Sequence, residues 1–329
     1  MKVGYDVAPL VLDNAGTARY VRSVLAELRR RDDLDVRELT WGGGGRLMAA
    51  VRDVAWYPVA LPLQARGLDV LHCTTMRAPL QAPVPVVVTV HDLAAIRFPE
   101  LFTAWTRLYA RTLLPRVLRS ATHILAVSEF TKRDVVELAG VPAERIDVAY
   151  NAADRTVFTP DGPAADGDYV LAVGTLEPRK NLPRLIEATG RLGLELRVAG
   201  ARGWGGVEAG GAHVRWLGRP DDDELAAQLR GALCLGYPSL WEGFGIPVLE
   251  AMLCGCPVVT SERSAMEEVG GGAVELVDPE DVASIAAGIE RALGRRDELR
   301  AAGLVRARAF GWRQTADAVV GAYRAAVAA

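Results

Sequence analysis

Two stretches of the first half, P-V-P-V-V-V-T-V at 83–90 and H-I-L-A-V at 123–127, are apolar at nearly every successive position. A strand that rejects water on both faces must be covered on both sides, which is the condition of a parallel sheet wrapped by helices. Further short strand-like runs at 2–7, 36–40, 70–73 and 146–150 alternate with helical patterns at 18–31, 101–119 and 129–139. Residues 154–168 then turn rich in Pro, Gly and Asp and lose periodicity, as a linker does. The alternation resumes with strands at 169–173, 194–199, 214–217, 232–237 and 257–260 and helices at 182–192, 222–230, 248–254 and 281–292. An α/β architecture of two doubly wound domains in tandem follows. Its parts are an amino-terminal domain at 1–155, a linker at 156–168, a second domain at 169–311, and a closing helix at 312–329 that packs back on the first domain.

The chain of 329 residues is 50% hydrophobic and 24% charged, enough to fill two such cores and too apolar for a disordered chain. Cys73, Cys234, Cys254 and Cys256 lie in apolar runs without zinc-ligand spacing and read as reduced packing residues of a cytoplasmic protein. The first residues alternate like a strand rather than a leader, and no run approaches the length of a spanning helix. Lys and Arg outnumber Asp and Glu by 20 to 17 through Arg155, and fall short by 18 to 24 beyond it. That balance argues against a nucleic-acid partner. Only three of the 38 cationic residues are lysines, Lys2, Lys132 and Lys180, so each lysine draws attention.

The most informative segment is P-S-L-W-E-G-F-G-I-P-V-L-E-A-M at 238–252. It follows a strand, opens on Gly243 and Gly245, and places Pro247 in the first turn of a helix, where its missing N–H is harmless. Such a turn presents unpaired amides and a partial positive charge to an anion. Glu242 and Glu250 bracket it and would repel phosphate unless they point to hydroxyls, whose vicinal pairs a carboxylate accepts well. An ordinary strand-to-helix connection fits the turn alone equally well. A second segment shifts the balance: G-T-L-E-P-R-K-N, Gly174 to Asn181, ends a strand and puts Arg179 and Lys180 at the start of a helix. Cations there oppose the helix dipole, so an anion should compensate. Pairing with Glu177 is the bland alternative for either residue, while the two segments together point to a diphosphate site.

These motifs, with A-M-L-C-G-C-P-V-V-T-S after them and N-A-G-T-A-R-Y, V-T-V-H-D-L, A-V-S-E-F-T and I-D-V-A-Y-N-A-A-D before, resemble the retaining glycosyltransferases of family 4 (glycosyl transferases group 1) over nearly the whole chain. Those enzymes have the GT-B fold of two Rossmann-like domains. The resemblance implies that Lys180 with Arg179 and Gly174 holds the diphosphate of a nucleotide-sugar donor, and that Glu250 binds the ribose. It further implies that Glu242 with the backbone of Gly243, Phe244, Gly245 and Ile246 holds the donor sugar, that His91 touches that sugar from the other domain, and that Gly16 lies in the early donor-side loop. Thr175 stands where many members carry arginine, which leaves Arg179 as the partner of Lys180. No cofactor or metal is implied beyond the donor itself. The L-E-P-R-K-N variant is similar to bacterial mannosyltransferases of polysaccharide assembly, which suggests GDP-mannose.

His91 and Asp92 follow the apolar run at 84–90, at the rim where parallel sheets bind ligands. His91 reads as functional there, and Asp92 equally as a turn cap. His72 and His123 read as structural. Asp221-Asp222-Asp223 reads as a capped acidic first turn rather than a metal site. Residues 101–119 interleave Trp105, Leu108 and other apolar residues with Arg107, Arg111, Arg116 and Arg119; such a helix either packs on the sheet or makes peripheral contact with an anionic membrane. The expected activity is transfer of a sugar from a nucleotide diphosphate donor to a hydroxyl of a glycan, lipid-linked or small-molecule acceptor, with retention. Rivals are a sugar phosphorylase or nucleotide-sugar epimerase, and a non-catalytic nucleotide-sugar binder. A dehydrogenase is disfavoured because no strand runs into G-x-G-x-x-G.

Overall fold

The computed structural model describes every residue except 12–14, 44, 46, 47, 49 and 50, so Asn14 of the early N-A-G-T-A-R-Y motif lies outside the described residues. The chain divides into two compact units, residues 1–151 with 311–329, and residues 152–310.

The first unit is built on β1 (Lys2–Asp6), β2 (Asp35–Leu39), β3 (Val70–Cys73), β4 (Val86–Val90), β5 (His123–Ala126) and β6 (Ile146–Val148). They form one parallel sheet in the order β2-β1-β3-β4-β5-β6. Every residue of β3, β4 and β5 is buried. Successive side chains serve opposite faces: Val88 enters a core with Trp56, Leu61 and Leu118, while Val87 enters another with Tyr20, Val24 and Tyr323. Tyr323 comes from the helix Trp312–Ala328, which covers this second face together with the helix Ala15–Leu28. Between them His72 is held by Tyr323 Oη at 2.7 Å and Thr89 Oγ1 at 2.8 Å. Burial pushes its pKa down to about 3, so the ring is a neutral core group. His123 bonds Asp147 at 2.9 Å.

The second unit carries β7 (Tyr169–Val173), β8 (Glu195–Ala199), β9 (Val214–Gly218), β10 (Cys234–Tyr237), β11 (Val258–Ser261) and β12 (Glu275–Val277), again parallel, in the order β12-β11-β10-β7-β8-β9. Residues 156–168 lie within this unit: the Ala165 amide donates to Ala227 O at 3.0 Å, and Arg230 bonds the carbonyls of Pro163 and Thr159 at 2.6 and 3.1 Å. Asp221 caps the helix Asp222–Gly231 in a reciprocal box with Glu224, its carboxylate accepting the Glu224 amide at 2.8 Å. All four cysteines are buried and free. Among the described residues no helix is long and apolar enough to cross a membrane.

The helix expected over 101–119 is two helices, Ala104–Thr112 and Leu114–Ser120. Pro115 has no N–H for the turn before it, so the ladder restarts there, and Thr103 rather than Leu101 sets the beginning by accepting the Thr106 amide at 3.3 Å. Residues 52–64, despite Pro58 and Pro62, wind as wide π-type turns over Arg52–Ala60 that run into a short helix, Leu61–Gln64.

Candidate functional site

In the second sheet the chain leaves β7 towards β8 and β9, then returns to the other side of β7 as β10. The strand order thus reverses between β7 and β10, and a crevice opens at their carboxyl ends. Gly174 follows β7 there, and Tyr237 ends β10.

Two close approaches shape this rim. Gly174 has φ +140°, and a Cβ on it would lie 3.1 Å from Lys180 Cε, so the lysine stem crosses where a side chain would be. A Cβ on Gly200 would stand 1.8 Å from Gly174 O, so glycine lets the end of β8 touch that of β7. The segment Pro178–Lys180 is a tight turn ended by Asn181 in the left-handed region at φ 59°. The Asn181 side-chain amide donates to Pro238 O at 3.0 Å and Pro279 O at 2.6 Å, and the Leu240 amide donates to Arg179 O at 2.8 Å. These bonds dock the cationic turn onto the loops that follow β10 and β12.

The consequence is a compact charged cluster. Arg179 Nη1 donates to Glu242 Oε2 and to Trp241 O, both at 2.7 Å, and Nη2 donates to Glu177 Oε1 at 2.7 Å. Lys180 Nζ donates to Glu242 Oε1 at 2.6 Å and to Tyr237 Oη at 2.7 Å, and lies 4.9 Å from the Tyr237 ring centre. Tyr237 Oη in turn donates to Glu242 Oε1 at 3.0 Å. Burial alone would raise the Glu242 pKa, but Arg179 and Lys180 override it and hold the carboxyl at about 2. Lys180 is likewise pulled down by burial and raised on balance by Glu242. At Glu177 burial prevails over Arg179 and the pKa is raised. Burial, then the Glu242 charge, takes Tyr237 to about 12, so its hydroxyl stays protonated.

A carboxyl whose pKa is depressed by folding stabilises the fold above its unfolded value of 4.5, and that contribution is lost as pH falls through about 2. The difference in unfolding free energy between wild type and Glu242→Gln should therefore be constant near neutrality and shrink as pH drops below 4.5. Urea titrations at stepped pH check this, and a difference that does not shrink would remove the charge from Glu242.

Beyond Glu242 the motif runs through a buried aromatic into a helix. Phe244 is buried and meets Phe310 edge-on at 5.7 Å, so its ring belongs to the core. Gly245 takes φ 89° to start the helix Ile246–Leu253 with Pro247 in its first turn, and Glu250 is buried on that helix. Each oxygen of Glu242 meets one of the two cations here, where the sequence suggested that the carboxylate points to donor hydroxyls. Arg179 and Lys180 meet on Glu242, with Gly174 beneath the lysine, and Arg179 also makes the pairing with Glu177 that was the alternative to a ligand. Tyr237 is the member that sequence reasoning missed. A lone phenol at the carboxyl end of an otherwise aliphatic strand, at the switch in strand order, was the available signal.

His91 and Gly16 belong to the first unit. His91 follows β4, and its Nε2 lies 3.0 Å from Thr74 O, an acceptor only, so Nε2 carries the proton and Nδ1 is the accepting nitrogen. Burial lowers its pKa, which keeps the ring neutral. Tyr20 packs edge-on against it at 5.0 Å. Asp92 accepts the Ala94 amide at 3.0 Å, the turn-capping reading. Gly16 is exposed in the first turn of the helix Ala15–Leu28, and a Cβ there would meet nothing within 4 Å. Among the described residues no group of three or more His, Cys, Asp or Glu side chains is placed to hold a metal ion.

The family model Glycosyltransferase Family 4 matches residues 15–157, and Glycosyl transferases group 1 matches residues 153–304. The O-antigen chain mannosyltransferase B of Escherichia coli is 35% identical, over 72% of this chain and 70% of that protein. Among solved structures, sucrose-phosphate synthase from Thermosynechococcus elongatus superposes with a TM-score of 0.77 at 17% identity, covering 98% of each chain. Anabaena HepE in complex with UDP and glucose superposes with a TM-score of 0.73 at 18% identity, also covering 98% of each chain.

Proposed function

Because the chain belongs to glycosyltransferase family 4 and has two parallel α/β units of the GT-B class, we propose that it moves a hexosyl group from a nucleotide diphosphate-sugar to an acceptor hydroxyl with retention of the α-configuration, without a metal. The observation that carries this reading is the convergence of Lys180 Nζ and Arg179 Nη1 at the rim where β7 and β10 part. In the transfer the bond from the anomeric carbon to the diphosphate breaks and one to the acceptor oxygen forms. The acceptor's proton passes to the departing phosphate oxygen on the same face. Charge therefore grows on the diphosphate, and two cations set by a rigid turn stabilise it in proportion.

Glu242 already bonds both cations, which supports a role as their alignment. A diphosphate shares Lys180 and Arg179 with it and releases the carboxylate towards the sugar. Glu250 takes the ribose hydroxyls. GDP-mannose is the donor we favour, on the likeness to a protein named as an O-antigen chain mannosyltransferase, with a growing glycan or lipid-linked sugar as acceptor and a cytoplasmic setting.

Thermal shifts with GDP, UDP and ADP test the donor, since a ligand at a hundred times its Kd adds about 2.7 kcal/mol to the native state. Product analysis then separates transfer, which needs donor and acceptor together, from phosphorolysis, epimerisation or mere binding. Glu250→Ala should weaken donor binding about tenfold, the worth of one charge-assisted hydrogen bond; an unchanged Kd by calorimetry removes its ribose role. Tyr237→Phe deletes the hydroxyl that holds Lys180, and should lower kcat about tenfold with donor KM nearly unchanged. A rise in KM alone would make Tyr237 a binding group instead.

A further inference from the structure

Residues 54–65, V-A-W-Y-P-V-A-L-P-L-Q-A, hold no charged side chain. A helical segment apolar all round belongs in a core, yet among the described residues only one side of this one is covered. Trp56, Tyr57, Leu61 and Ala65 enter the first unit's core. Val54, Val59 and Leu63 face outward, and with Trp105 and Leu108 of the helix Ala104–Thr112 they are 47% to 68% exposed. The two elements are joined: the Trp105 indole N–H donates to Asp53 Oδ2 at 3.0 Å, and Arg77 pairs with Asp53 while its guanidinium lies 5.1 Å from the Tyr109 ring centre. Asp53 is thereby neutralised. The helices Ala104–Thr112 and Leu114–Ser120 carry Arg107, Arg111, Arg116 and Arg119 and no acidic residue.

We propose that this face of the first unit lies on an anionic lipid bilayer, with Val59, Leu63 and Leu108 entering the boundary of the acyl chains and the arginines meeting lipid phosphates. Apolar area beside unbalanced cations is the composition that binds the headgroup layer, and an indole whose N–H is bonded suits its depth. A second copy is the poorer occupant, because two such faces would set like charges against each other. The inference concerns the first unit's surface and stands apart from the identity of the donor.

Flotation of the full chain with vesicles decides it. Vesicles of phosphatidylcholine with one quarter phosphatidylglycerol should carry the protein at about 0.1 M salt, and release most of it at about 1 M, where the Debye length shrinks to about 3 Å. Pure phosphatidylcholine should bind it at least tenfold more weakly. Leu63→Asp with Leu108→Asp should lower binding at least tenfold at an unchanged melting temperature, and Arg107→Gln with Arg111→Gln about fivefold per charge removed. The proposal is overturned by equal binding to neutral vesicles, by no binding to anionic ones, by unaltered binding of both double variants, or by a lipid-free dimer that Leu108→Asp dissolves.

Discussion

Lys180→Ala is expected to cut turnover at saturating donor by about 10²- to 10³-fold, equivalent to roughly 3–4 kcal/mol of transition-state stabilisation. On the proposed reaction the loss belongs mainly to kcat, because charge on the leaving diphosphate would develop in the transition state, while the ground-state donor would keep Arg179 and the amides near Gly245. The fold should survive, since Glu242 still has the Arg179 guanidinium 2.7 Å away as its counter-ion. Single-turnover kinetics with a melting curve give the measurement. Near-wild-type turnover would take Lys180 out of the reaction and the proposed chemistry with it.

Glu242→Ala should act first on stability. Its carboxylate is the shared counter-ion of two largely buried cations, and truncating one partner of a buried ion pair leaves the others uncompensated at a loss of about 3–5 kcal/mol. Arg179 retains Glu177, whereas Lys180 is left with the Tyr237 hydroxyl. Added pyrophosphate or nucleoside diphosphate supplies the missing negative charge, so it should raise the melting temperature of the variant more than that of wild type. Urea unfolding of the two proteins with and without pyrophosphate measures both effects. A loss below about 1 kcal/mol, the scale of a solvent-screened pair, would mean that the cluster is effectively exposed.

The elements most legible in the sequence were those with a single solution. Runs such as V-V-V-T-V at 86–90 leave no solvent face, and the buried β4 follows from that alone. Arg179 and Lys180 stood out because two cations at a helix start conflict with the local dipole, and the anions that meet them here are Glu242 and, at Arg179, Glu177. What escaped was whatever depends on which strand neighbours which. Tyr237 reaches Lys180 only because β10 returns beside β7, and no local pattern states that register. The contacts of Glu242 depend on the same pairing of strands: phosphate repulsion argued for pointing it at hydroxyls, and the loop after β10 sets it against Arg179 and Lys180. Pro115 broke a helix that periodicity carried across it, and the two prolines of 52–64 concealed a helical segment that tertiary packing of Trp56 and Leu61 sustains.

The assignment of residues 311–329 to the first unit has a consequence for synthesis. The ribosome delivers residues 152–310 as one uninterrupted piece, which can close on itself as soon as it emerges. The earlier-made half cannot seat His72 against Tyr323 until the helix Trp312–Ala328 has been translated. The half that is born first is therefore completed last, and meanwhile it exposes the sheet face that Val319, Val320 and Tyr323 later cover, the surface a chaperone would find.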